Sequence, residues 1–260
     1  MWLDFSIFFA YTDFMSKIYI SELASPELIE YLLAEGHELA VVGDVSTKSD
    51  NSFSGDNVRS TKFDNHSQIK WLKPAENVDL AISCHPDILY CHLAEGRVFH
   101  GDMDRLGPKY PADILYNACS TGKYFIHNLK HTAPELLAAA DDLGLIKIDV
   151  AQGYTRCSVL PVDENSVITY DRGIAAACAL RTSAPDVLLV SPGQIGLPGY
   201  ATGFIGGTGG RIGDTIVFNG DLSVHPDFEN IKKFIESRGL ECIWTKDCPL
   251  TDIGSIIEEY

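Results

Sequence analysis

Positive charge is scarce in this chain. Against 36 aspartates and glutamates stand only 20 lysines and arginines, a formal net charge of −16 over 260 residues. Phosphate backbones and anionic bilayers are bound by clustered Lys and Arg. Neither nucleic acid nor membrane is therefore expected as a partner. Paired cysteine spacing is also missing: the seven cysteines are odd in number and scattered, which reads as free thiols in a reducing, cytoplasmic setting. Long hydrophobic runs are lacking too. The N-terminal MWLDFSIFFAYTDF carries Asp4 and Asp13 and has no basic start, and it is shorter than the roughly 20 residues of a spanning helix. Residues 1–16 read as a poorly ordered extension ahead of a single domain over 17–260. With 45% hydrophobic residues, a chain of this length buries a core without help from a metal or a disulfide.

Nucleotide-binding loops fail on spacing. In GFIGGTGGRIGD, Ile212 stands where a third glycine is required, and the segment runs into the strand-like DTIVF, whereas an anion site needs a helix N-terminus. STGKY at Ser120 has no glycine five residues upstream of its Gly-Lys. Both read as turn and strand-crowding glycines.

What the chain does contain is a repeat. SPELIEYLLAEGHELAVV from Ser25, APELLAAADDLGLIKIDV from Ala133 and HPDFENIKKFIESRGLECIWT from His225 share one plan. Each opens with Pro and an acid, runs through two to three helical turns, reaches Gly, then enters an apolar strand. Proline at the first helical position forfeits no hydrogen bond, and the acid faces the positive end of the helix dipole. Gly36, Gly144 and Gly239 sit where a helix needs a left-handed residue to stop. A strand precedes each helix (KIYIS, KYFIHNL, DTIVFNGDL), and SVITYD to APDVLLV is a looser fourth copy. A further strand is expected ahead of these, in LAISCHPD, ILYNACST, GYTRCSVL, GFIGGTGG and LTDIGSII. Aligned on Cys84, Cys119, Cys157, Gly207 and Gly254, these are spaced by 35, 38, 50 and 47 residues. The last copy has only its first strand and the first copy lacks one, so the two chain ends are expected to complete one unit. Residues 44–77, rich in Ser, Asn, Asp and Lys, read as a polar insertion.

Five ββαβ units closed by both termini resemble the pentein fold, the fold of the guanidino-group-modifying enzymes. The tail GFIGGTGGRIGDTIVFNGDLSVHPD through PLTDIGSII is similar to an uncharacterised bacterial family within that superfamily. The resemblance implies an α/β fold, a five-fold pseudosymmetric β/α-propeller, with a central pore. It also implies a nucleophilic Cys on the last strand, a His in a His-x-Asp setting, and acids that grip a guanidinium bidentately. This chain departs from that pattern where the nucleophile belongs. Its last strand reads Gly254-Ser255-Ile256-Ile257, and Cys248 lies upstream of Pro249.

The densest chemistry is CHPDILYCH, Cys84 to His92. As a tight turn or as extended strand (roughly 23 Å between its thiols), it cannot bring both Cys-His pairs to one zinc. No metal and no cofactor are read. Cys84, His85 and Asp87 are instead expected at the pore, joined by Asn117, Cys119, Arg156, Cys157, Thr208, Asp252 and Ser255 from the other copies. Packing of small residues and inert cysteines where strands crowd would give the same pattern. His225-Pro226-Asp227 and His127 have capping explanations. Two functions stay open. One is a non-catalytic protein that binds a small polar molecule or a protein partner. The other is an enzyme, a hydrolase or transferase, with His85 as acid/base, Asp87 and Asp252 orienting a cation, and Cys84 or Cys157 as nucleophile. Oligomeric state is not legible.

Overall fold

The computed structural model describes residues 16–44 and 67–260. Along the chain come β1 (Lys17–Ser21), α1 (Pro26–Ala34), β2 (Glu38–Val42), β3 (Ile69–Leu72), β4 (Tyr90–His92), β5 (Val98–His100), β6 (Cys119–Ser120) and β7 (Tyr124–His127). They are followed by α2 (Pro134–Asp142), β8 (Ile146–Asp149), α3 (Thr155–Ser158), β9 (Val159–Asp163), β10 (Ser166–Thr169), α4 (Arg172–Ala179) and β11 (Asp186–Leu189). The chain closes with β12 (Gly209–Ile212), β13 (Thr215–Phe218), α5 (Phe228–Glu236), β14 (Glu241–Trp244) and β15 (Ile257–Glu259).

These form a mixed α/β fold of small sheets: β15-β1-β2-β3, β4-β5, β6-β7-β8, β9-β10-β11 and β12-β13-β14. Four of the five repeat one motif. An antiparallel pair (β15/β1, β6/β7, β9/β10, β12/β13) is followed by a helix, and that helix returns the chain to a parallel neighbour (β2, β8, β11, β14). The sheet β4-β5 has no such helix. The chain ends meet as expected, with Lys17 opposite Glu259 and Tyr19 opposite Ile257.

Local sequence explains the helices. Ser25 caps α1 by accepting from the Leu28 amide at 3.1 Å, Pro26 takes the first helical position, and Leu28 and Leu32 are fully buried one turn apart. Gly36, Gly144 and Gly239 end α1, α2 and α5 with φ of +90°, +66° and +75°. Ile18, Ile20, Leu28, Leu32, Leu39 and Val41 make one of several local cores between a sheet and its helix. Each such side chain contributes about 1.5–3 kcal/mol by leaving water.

Several expectations need correction. Four of the five segments aligned as first strands are not strands at their anchor residues, the exception being Cys119 in β6. Ile82–Cys84 is turn, Pro86–Ile88 and Gly206–Thr208 are single 3-10 turns, Thr155–Ser158 is one α-turn, and Ile253–Ser255 lies outside any strand. In those copies the strand begins after the anchor, because the chain must reverse at the crowded centre before it can pair. Pro226 is not a helical residue either. Helix α5 starts at Phe228, and the Asp227 side chain makes no capping bond within the helix. His127 is neither solvated nor a cap. It is fully buried on β7, its Nδ1 2.7 Å from Thr132 Oγ1 and its Nε2 2.9 Å from the Gly153 carbonyl. The polar stretch 44–77 contains β3, whose Trp71 and Leu72 are half-buried beside β2. The rest of that stretch, 45–66, lies outside the described residues, as do residues 1–15 of the expected extension.

Candidate functional site

The reversals ahead of β4, β6, β9, β12 and β15 meet at one buried centre. The turn Pro86–Ile88 delivers Asp87, and the Asp87 amide donates to the Gly254 carbonyl at 3.2 Å, which pins this turn to the last one. Asn117 ties three reversals together. Its Nδ2 donates to the Asp87 carbonyl at 3.2 Å and to Cys157 Sγ at 3.3 Å, while its Oδ1 accepts from the amides of Arg156 at 2.9 Å and Cys157 at 3.4 Å. Asp87 Oδ2 accepts from Ser255 Oγ at 2.7 Å and from Cys157 Sγ at 3.1 Å. Asp252 is held by the amides of Gly254 at 3.0 Å and Phe204 at 2.9 Å, and its Oδ1 lies 3.9 Å from His85 Nδ1.

Backbone conformation is spent on this closeness. Ser255 has φ +74°, a left-handed conformation uncommon outside glycine and often found where a side chain must be aimed. A Cβ on Gly207 would stand 1.9 Å from Asp252 Oδ1, and one on Gly254 would stand 2.1 Å from His85 Cβ. Only glycine at these two positions leaves room for the Asp252 carboxylate and the His85 side chain.

The centre is acidic and buried. His85, Asp87, Cys157, Asp252 and Ser255 are all buried, and among the described residues Asp87 Oδ1 and both ring nitrogens of His85 have no hydrogen-bond partner. Burial, then the Asp87 and Asp252 charges, hold the Cys157 thiol well above its ordinary value. Burial likewise raises the Asp252 carboxyl, with His85 opposing it. Arg156 does not offset this charge by direct pairing. Its guanidinium donates to the carbonyls of Gly206 (2.9 Å), Gly209 (3.1 Å), Val159 (3.2 Å) and Ile256 (3.4 Å). It thereby staples β9, β12 and the final segment together. It also lines a separate cavity of about 520 Å³ with His92, Ser120, Thr121, Arg211 and Glu258, and none of the carboxylate cluster lines that cavity.

Of the residues singled out from sequence, His85, Asp87, Asn117, Cys157, Asp252 and Ser255 come together. The others serve elsewhere. Cys84 faces Ser21 and Glu22, its thiol raised chiefly by burial. Cys119 packs in an apolar cluster with Ile126, Ile148 and Cys178. Thr208 Oγ1 donates to the Ile205 carbonyl at 2.7 Å and closes its own turn. Sequence reasoning missed an aromatic row beside the centre. Phe204, whose amide holds Asp252, stacks on Tyr170 at 5.8 Å and lies 6.4 Å from Tyr154, and all three rings are half-buried. The Tyr154 hydroxyl donates to Asp113 at 2.6 Å. A signal was available: Tyr116, Tyr154 and Phe204 each stand three residues before an anchor of the repeat.

Residues 97–257, more than half of the chain, match the family of unknown function DUF6873. The chain belongs to this family. Comparison with curated proteins gave no match. Among solved structures, the DUF6873 chain is similar to a C. jejuni agmatine deiminase variant with substrate bound. The TM-score is 0.51 at 11% identity, over 95% of this chain and 93% of that one. A second C. jejuni agmatine deiminase structure gives a TM-score of 0.48 at 11% identity, over 89% and 88%. At this identity the likeness concerns the fold alone. Among the described residues no helix is long and apolar enough to cross a membrane.

Proposed function

We propose that the DUF6873 chain binds a small polar cation of guanidino or amidino type at this centre, without the thiol catalysis used by the superfamily's enzymes. One observation carries the reading. Two buried carboxylates, Asp87 and Asp252, converge while the buried guanidinium, Arg156, is turned to backbone carbonyls. A planar cation entering there would find carboxylate acceptors in a buried site, where charge-assisted bonds are strongest. The faces of Tyr154, Phe204 and Tyr170 would add about 0.5–2 kcal/mol of cation–π attraction. The five sheets are read as blades of a β/α-propeller of ββαβ units, closed where β1 meets β15. The seven free cysteines support a reducing, cytoplasmic setting. Isothermal titration of the full chain with guanidine, amidine and alkylguanidine compounds tests the reading. Binding to the wild type, weakened about 100-fold in Asp87→Asn and Asp252→Asn, is expected, and no binding by any of them would sink it.

One observation favours the enzyme reading: Cys157 Sγ, an Asp87 oxygen and a His85 nitrogen lie within 4.8 Å of one another. There Cys157 would attack the guanidinium carbon while His85 handles the proton. The buried, raised thiol counts against it. Iodoacetamide labelling of the native protein separates the two. Cys157 should stay unlabelled until unfolding, and rapid labelling at pH 6 would restore the enzyme reading.

A further inference from the structure

Three donor atoms of different kinds meet at the centre without a common partner. We propose that His85, Asp87 and Cys157 form a binding site for one borderline divalent metal ion, zinc or a cation that can replace it such as cobalt. The ligand atoms would be a His85 ring nitrogen, Asp87 Oδ1 and Cys157 Sγ.

The ligand set is the first support. One nitrogen, one carboxylate oxygen and one sulfur stand within 4.8 Å of one another on three fully enclosed side chains. A tetrahedral ion with bonds of about 2.0–2.3 Å separates its donors by roughly 3.3–3.8 Å, so the group needs to contract by about 1 Å. Orphaned atoms are the second. Leaving a buried polar atom unbonded costs about 1–3 kcal/mol, and His85 Nδ1, His85 Nε2 and Asp87 Oδ1 are all left so among the described residues. A metal takes one imidazole nitrogen and the free carboxylate oxygen at once.

The surrounding shell is the third support. Metal-bound histidine hands its other ring N–H to a carboxylate or carbonyl, and the remaining ligands are held by hydrogen bonds. Asp252 Oδ1 stands 3.9 Å from His85 Nδ1, which leaves Nε2 for the ion. Ser255 donates to the other Asp87 oxygen, and Asn117 donates to Cys157 Sγ. Charge completes the case. On binding, the Cys157 S–H bond breaks, its proton leaves to solvent, and a sulfur–metal bond forms. One thiolate and one carboxylate then neutralise the dication, and the fourth position stays open for water or a ligand. Sequence spacing hid the site, because Cys157 lies 70 residues from Asp87 and only the fold brings them together.

The metal shares Asp87 with the organic cation proposed above, and the two exclude each other there, so one set of titrations separates them. Full-length protein, stripped with a chelator, is titrated with Co²⁺ and followed by absorption. Expected are one ion per chain, tetrahedral visible bands, a thiolate-to-cobalt charge-transfer band and one proton released per ion. Cys157→Ser should lose the charge-transfer band, and Cys242→Ser, at a half-buried remote thiol, should keep it. Asp252→Asn should keep the band and bind roughly 10–100-fold more weakly. If Cys157→Ser fails to fold, the wild-type band and the Asp252→Asn affinity decide. A wild type without the band, or a band that survives in Cys157→Ser, overturns the inference. Absence of cobalt binding with guanidinium binding intact removes the metal and leaves the ligand reading. The reverse outcome removes the ligand reading and leaves the metal.

Discussion

The tripeptide His-Pro-Asp occurs twice, at 85–87 and at 225–227, and the backbone treats both alike. Each histidine amide donates three residues back, to Ile82 and Leu222 at 3.0 Å, and each histidine carbonyl accepts from three residues ahead, Ile88 at 3.2 Å and Phe228 at 3.0 Å. The side chains then part company. At the rim of α5, His225 Nδ1 accepts from the Asp227 amide at 3.1 Å and Asp227 accepts from the Ser191 amide at 2.6 Å. That hydrogen bonding holds the Asp227 carboxyl below its usual range. At the centre, the His85 ring nitrogens have no hydrogen-bond partner among the described residues, while Asp87 is claimed by Ser255 and Cys157. Local sequence therefore sets the turn, and the neighbours supplied by the other copies set the chemistry.

Breaking the first turn while sparing the second has the largest expected effect. Gly254→Ala must place a Cβ 2.1 Å from His85 Cβ at φ +74°, so we expect a loss of about 3–5 kcal/mol in urea unfolding. Gly239→Ala, at φ +75° with open space around it, should lose only about 1 kcal/mol.

A third buried histidine sharpens the contrast through pH. Burial lowers His127 to about 4. The unfolded chain takes up its proton near pH 6.5, so stability is full above that pH and falls as pH drops from 6.5 to 4. The loss is about 3 kcal/mol, read as a falling urea midpoint. His127→Gln should flatten that window.

Asp87→Asn should cost about 2 kcal/mol of stability, because a neutral amide oxygen accepts more weakly from Ser255 and Cys157 than a carboxylate does, and the amide NH2 is buried where Asp87 Oδ1 has no partner among the described residues. Asp227→Asn should cost under about 0.5 kcal/mol in the same assay, since its oxygen remains an acceptor for the Ser191 amide on an exposed turn. Equal costs would show that the two turns differ less than their neighbours suggest. A cap is expected to matter less than Asp87. Ser25→Ala should cost about 1 kcal/mol, whereas α2 is preceded by Ala133 and has no side-chain cap to lose.

Much of this was readable in advance, for reasons that residues make plain. Helices α1 and α2 announced themselves through Pro26, Glu27, Pro134 and Glu135, and their ends through Gly36 and Gly144, because these are backbone requirements that side-chain type satisfies locally. The anchors also fall at buried positions. The residue after each is polar (His85, Ser120, Ser158, Thr208, Ser255), and all five are buried. What stayed hidden was non-local. Nothing in GYTRCSVL reveals that Arg156 binds carbonyls at positions 159, 206, 209 and 256, since backbone acceptors leave no mark in a sequence. Nor could spacing separate Cys157, which meets Asp87, from Cys84 and Cys119, which face other neighbours. Each is a small buried residue at a reversal, and the distinction lies in a few ångströms of the centre.

The pairing of β1 with β15 bears on how the protein is made. On a ribosome that adds roughly 5–20 residues per second, β1 emerges early and waits, one edge bare, until residues 257–259 follow some tens of seconds later. Asp252 and Ser255 come from the same late segment. A nascent chain therefore carries an unfinished first sheet and an unassembled centre until residues 252–259 have been made.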